Sequence, residues 1–163
     1  MDDRPEATDA ETEAVETSSD APTAYERDFY LWCLQQAELL RLRRFAQADL
    51  PNIVEELESM GRCLRPSLRS SYRLVIVHLL KWEYQPAMHS ASWEITILRE
   101  RSHIEDIEED NPSLRAEASS FVESAYGRAR KEAQTETKLP LSAFPAECPY
   151  TLDQLRDPDW LPA

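Results

Sequence analysis

Glycine occupies only two of the 163 positions, Gly61 and Gly127. Without a Cβ, glycine is the residue that takes positive φ at little cost, so a chain this poor in it must do without most tight turns. Two-residue hairpins, phosphate-cradling loops and the glycine-rich dinucleotide fingerprint all lack their residues. All-β folds and the usual nucleotide sites are thereby disfavoured. What remains is an architecture that needs no positive φ along its length, and the periodicity of the apolar residues supplies it.

The first 24 residues, MDDRPEATDAETEAVETSSDAPTA, hold eight acids and one arginine, more than half of the net charge of -13. They include one valine and no aromatic residue, so they cannot bury enough apolar surface to offset the entropy of ordering. We expect residues 1–24 to form a disordered acidic leader and residues 25–163 a single helical domain. The longest apolar run, Leu74 to Leu80, is interrupted by His78 and stops at Lys81. A membrane span needs about 20 apolar residues, so no membrane association is expected. The acidic start lacks the pattern of an export signal, and a cytoplasmic address is the default. Cys33, Cys63 and Cys148 are odd in number and far apart, which suggests neither a disulfide framework nor a zinc site.

From Tyr25 onward Phe29, Trp32, Cys33, Gln36, Leu39 and Leu40 recur at three and four residues, predicting one helix of about 20 residues. In ADLPNIVEELESMG, Asp49 is a possible N-cap, Ile53, Val54, Leu57 and Met60 share a face, and Gly61 is a candidate C-cap. Pro66 then either opens a fresh helix or kinks a continuous one. Beyond it Leu68, Tyr72, Val75, Ile76, Leu79 and Leu80 lead to Trp82, with Leu74 and Val77 on other faces, as in a helix surrounded by neighbours. Gln85-Pro86 ends it. A stripe of Trp93, Ile97, Ile104 and Ile107 follows, ending near Asn111-Pro112; from about Ser113, Leu114, Ala118, Phe121, Val122, Ala125 and Ala129 form another. The last 24 residues contain five prolines, so only Thr151 to Arg156 can make a helical turn. The expected fold is all-α, a compact bundle of about five helices wrapped by an extended, proline-rich C-terminal segment.

Several words of the sequence carry a resemblance: EELESMG (Glu55–Gly61), HLLKWEYQP (His78–Pro86), SASWEITILRER (Ser90–Arg101), NPSL (Asn111–Leu114) and FPAECPYTLDQL (Phe144–Leu155). In this order they resemble the bacterial family catalogued as domain of unknown function twenty-nine. The resemblance implies a compact all-α domain and brings no established activity, substrate or cofactor. Pro66 departs from it, lying where such proteins read as uninterrupted helix.

Three constellations are candidates for chemistry. Glu55 and Glu58, at i and i+3, can present paired carboxylates to a divalent cation, and His78 completes a metal or acid–base site if the two helices pack side by side. Arg73 and His78 fit the R-x4-H spacing of helical ribonucleases related to prokaryotic toxins; histidine would move the proton and arginine would stabilise the phosphorane. Arg62, Arg65, Arg69 and Arg73 form a basic stripe. Each has a plainer reading. The carboxylates fit a solvated acidic face, His78 a neutral core residue bonded to a backbone carbonyl, and the arginines salt bridges to the Glu55 group or to the acidic run Glu105–Asp110. Nucleic-acid binding is disfavoured by the net negative charge and the absence of interleaved aromatics. His89 and His103 have no partner at a recognisable spacing, and Trp32, Trp82, Tyr84, Trp93 and Tyr150 read as core. The function this supports is protein contact, with a protein partner or as a homo-oligomer. The alternative is phosphodiester cleavage by Arg73 and His78, with or without a metal on Glu55 and Glu58.

Overall fold

A computed structural model describes residues 24–163. The leader expected over residues 1–24 therefore lies, save Ala24, outside the described residues. The described chain is all-α, with seven helical segments and no strand: α1 (Ala24–Arg27), α2 (Phe29–Arg41), α3 (Leu50–Tyr84), α4 (Ala91–Asp110), α5 (Pro112–Ala116), α6 (Ala118–Thr137) and α7 (Leu152–Arg156). Contacts divide it into two compact units, one ending at Ile53 and one spanning Val54–Ala163.

The first unit holds α1, α2 and the start of α3. The single helix expected from Tyr25 is broken at Asp28, whose non-helical backbone lets its carboxylate accept from Leu31 N–H at 2.9 Å. A residue that caps a helix so well ends whatever precedes it. Trp32 is buried against Tyr25 and Phe29, and its indole N–H donates to Asp49 at 3.2 Å. Asp49 also accepts from the Asn52 side chain and, at 3.5 Å, from the Asn52 backbone N–H, so it caps α3 as expected.

The second unit carries the main core. Pro66 does not divide its first helix: α3 runs unbroken for 35 residues. Gly61 is accordingly an interior helical residue and not a C-cap, because the chain has no reason to turn there. From Leu68 to Leu80 the helix is buried on more than one face, flanked by α4 and α6, which confirms its central position. Leu68, Tyr72, Ile76 and Leu79 pack with Ile97, Ile104 and Ile107 of α4 and with Phe121, Val122, Ala129 and Ala133 of α6. The helix expected from Ser113 is split at Glu117 into α5 and α6.

The two left-handed positions among the described non-glycine residues are Arg43 and Lys138, and neither glycine has positive φ. Lys138 ends α6 in the geometry normally given to glycine, with its N–H returned to Gln134. Past it the chain is extended apart from short turns and α7, which is closed by a reciprocal capping box between Thr151 and Gln154. Phe144, Tyr150 and Leu155 of this segment are buried in the core. Arg101 of α4, 3% exposed, holds it by donating to the carbonyls of Gln154, Leu155, Pro158 and Trp160.

Candidate functional site

The sequence-nominated residues all lie on α3, and the helix itself decides which can meet. At a rise of about 1.5 Å per residue, Glu58 and His78 are about 30 Å apart. The side-by-side packing that would join them requires two helices where there is one. Glu55 and Glu58 are exposed, and Glu58 accepts from Arg62 at 3.0 Å, one turn on. Among the described residues no group of three or more His, Cys, Asp or Glu is placed to share a metal ion.

Arg73 and His78 are five residues apart, about 140° round the helix. Arg73 faces α6, where Glu132 accepts from it, and it also donates to Ser70 Oγ one turn back on α3. His78 is half-buried, and its Nδ1–H donates to the Leu74 carbonyl at 2.9 Å, a bond within its own helix. Loss of hydration lowers the His78 pKa below its ordinary value, against a smaller opposing pull from that carbonyl; Lys81 lowers it further, while Glu136 and Glu100 raise it. Lys81 itself is buried between Glu136, at 2.5 Å, and the face of Trp93, 4.5 Å from the ring centre.

The other histidines have partners that spacing did not reveal. His103 hydrogen-bonds Ser67 at 2.9 Å; His89 donates to the Trp82 carbonyl and stacks on its indole.

Charged groups in the interior are used structurally. Glu108, with its side chain 1% exposed, accepts from Tyr72 Oη at 2.6 Å and from Arg156 at 2.9 Å, while Glu100 accepts from Ser71 at 2.8 Å. Burial and the Glu108 carboxylate push the Tyr72 hydroxyl well above the usual tyrosine range. Under the C-terminal segment a cavity of about 750 Å³ is lined by Tyr126, Cys148 and Tyr150, but their polar atoms are spoken for. Tyr126 donates to the Pro145 carbonyl, Tyr150 to Glu83, and the Cys148 thiol, raised by burial, to the Tyr150 carbonyl at 3.7 Å. Loss of hydration also pushes the Tyr126 hydroxyl up to about 12.

The arginine stripe forms the open site. It faces α6 across a groove with two continuous sections that share Pro66, Arg69 and Ser124. One, about 270 Å³, adds Ser70, Arg73, Arg128 and Glu132; the other, about 590 Å³, adds Arg62, Arg65, Ser120 and Phe121. Arg65 forms a two-pronged pair with Glu117 at 2.6 and 2.9 Å and lies over the Phe121 ring. The expected pairing with Glu105–Asp110 is not what occurs: the carboxylates answering Arg65 and Arg73 come from Glu117 and α6 because those are the surfaces the stripe faces. Sequence reasoning missed Arg128. A signal existed in Ser120, Ser124, Arg128 and Glu132, spaced by four and so aligned on one face of α6.

The described residues form an all-α domain with a basic interhelical groove between α3 and α6. A family model described as a domain of unknown function, DUF29, matches residues 24–161, and the chain belongs to that family. No curated protein and no solved structure matches it.

Proposed function

We propose that this domain works by protein contact, as a module that pairs with a second copy of itself, in a bacterial cytoplasm. The observation that carries this reading is an uncovered apolar ridge on α3. Val54, Leu57 and Met60 are 52%, 64% and 67% exposed. They continue, through half-buried Leu64, the stripe that becomes core at Leu68. An apolar row of this kind is costly in water unless something covers it.

Charge favours a second copy as the cover. Along α3 Glu55 and Glu58 precede Met60 and Arg62 and Arg65 follow it; Glu58 and Arg65 border the ridge, and Glu55 and Arg62 lie farther round the helix. An antiparallel copy centred near Met60 brings the acidic half of this segment in each copy against the basic half in the other, the self-complementarity that a two-fold interface requires. The existing Arg62–Glu58 pair is exposed and cheap to exchange. Contact is preferred to phosphodiester cleavage because Arg73 and His78 point to different sides of α3, with Arg73 held by Glu132.

Sedimentation equilibrium over a range of concentrations tests the reading. Wild-type protein is expected to dimerise reversibly and Leu57→Glu to remain monomeric with unchanged helicity. Glu55→Arg/Glu58→Arg and Arg62→Glu/Arg65→Glu variants should each fail alone and associate when mixed. A wild-type chain that stays monomeric up to millimolar concentration would sink it.

A further inference from the structure

We infer that the groove between α3 and α6 is a binding site for a phosphate monoester dianion, held between Arg69 and Arg128. Its wider section shares Arg62 and Arg65 with the surface proposed for self-pairing, but Arg69 and Arg128 take no part in that pairing, so the two readings are tested by separate variants. Its starting point is an imbalance. Acids outnumber bases in this chain 31 to 18, and Arg62, Arg65 and Arg73 each have a carboxylate. Arg69 and Arg128, from different helices, border the same cavity and have no carboxylate partner among the described residues. Two unpaired guanidinium groups facing one space repel each other, and an anion between them removes that cost.

The other groups of the cavity set the ligand's charge. Glu132 is the one carboxylate lining it, and Arg73 pairs with it. That pair is neutral, which leaves two positive charges, the complement of a dianion. Arginine forks match the oxygens of a phosphoryl group in pairs, where a lone ammonium would offer only a point charge. Ser70 accepts from Arg73 through Oγ and keeps its hydroxyl hydrogen to donate. Ser124 donates its own to the Phe121 carbonyl and shapes the wall.

Size narrows the class further. The section around Arg128 holds about 270 Å³, just below the range of about 300–1,000 Å³ for drug-sized ligands. A phosphoryl group with its bridging oxygen fits there, and the wider section past Arg69 has room for the group that carries it. A nucleic-acid strand is disfavoured because its affinity comes from several successive phosphates, whereas Arg62, Arg65 and Arg73 along the groove are already paired with Glu58, Glu117 and Glu132. A small phosphorylated molecule and a phosphorylated side chain present the same recognition chemistry.

The test uses the full chain and compares low millimolar inorganic phosphate with chloride at equal ionic strength, a concentration at which general salt exclusion contributes little. Wild-type protein should melt higher in phosphate, and titration calorimetry should give a saturable isotherm. Arg69→Gln/Arg128→Gln, exposed changes between good helix formers, should weaken phosphate by about tenfold or more. Arg41→Gln on α2 should bind as the wild type does. A phosphoserine peptide that binds more tightly than inorganic phosphate and its unphosphorylated form assigns the phosphate to a side chain; equal binding by phosphate and peptide assigns it to a small molecule. Equal melting of the wild type in phosphate and chloride overturns the inference, and so does an equal loss in Arg41→Gln. Tighter binding of a single-stranded oligonucleotide than of either monoester also overturns it.

Discussion

His78 shows how one polar residue is accommodated inside an apolar run. One ring nitrogen bonds the preceding helical turn, and partial burial favours the neutral ring. This has a pH signature. The unfolded chain takes up a proton near pH 6.5, while the folded protein resists it to lower pH. The stability this contributes is fully present above about pH 6.5 and is lost as pH falls through the lowered folded value. Urea midpoints at about pH 7.5 and about pH 5.5 should fall more steeply for wild type than for His78→Gln; equal slopes would mean that His78 is as hydrated as a surface histidine. The sequence made His78 conspicuous because a histidine among Leu, Val and Ile is easy to see. It did not display Glu108 or Arg101, because a buried charge looks like any surface charge until its partners, 36 or more residues away, are in place.

At the scale of the element, α3 was legible in its ends and in its buried face but not in its continuity. Pro66 removes one backbone hydrogen bond and crowds the carbonyl of Arg62, a cost of about 3 kcal/mol in a helix interior. Packing of the turns from Leu68 onward outweighs it, and that packing is non-local. The two glycines were informative in the reverse sense. Both lie within helices, and a Cβ at either would meet nothing within 4 Å. Gly61→Ala and Gly127→Ala should each stabilise the fold by about 0.5–1 kcal/mol, and together by the sum, since the sites are independent. Denaturant unfolding of the three variants checks this; a loss at either site would reveal a contact that glycine alone permits. The left-handed turns, meanwhile, are borne by Arg43 and Lys138 at about 1 kcal/mol each. Local sequence offers no warning of that.

Over the whole molecule, the all-α class and the wrapping C-terminal segment follow from proline spacing and from apolar residues too numerous for a free tail. How that segment is fastened does not. Phe144, Tyr150 and Leu155 are core residues, and removal of large core side chains costs about 2–5 kcal/mol apiece. Their sum rivals the about 5–15 kcal/mol that holds an ordinary domain together. Removing residues 139–163 should therefore abolish the cooperative thermal transition followed by near-ultraviolet circular dichroism. A truncated chain that still melts cooperatively would show the segment to be decoration. The interhelical groove was half legible, as a basic stripe on one helix; its opposite wall on α6 needed the fold to bring it there.

Arg101 fastens the segment through hydrogen bonds to four main-chain oxygens. Such a grip tolerates exchange of the residues at 154, 158 and 160 so far as this contact is concerned. It is equally indifferent to which molecule supplies the oxygens.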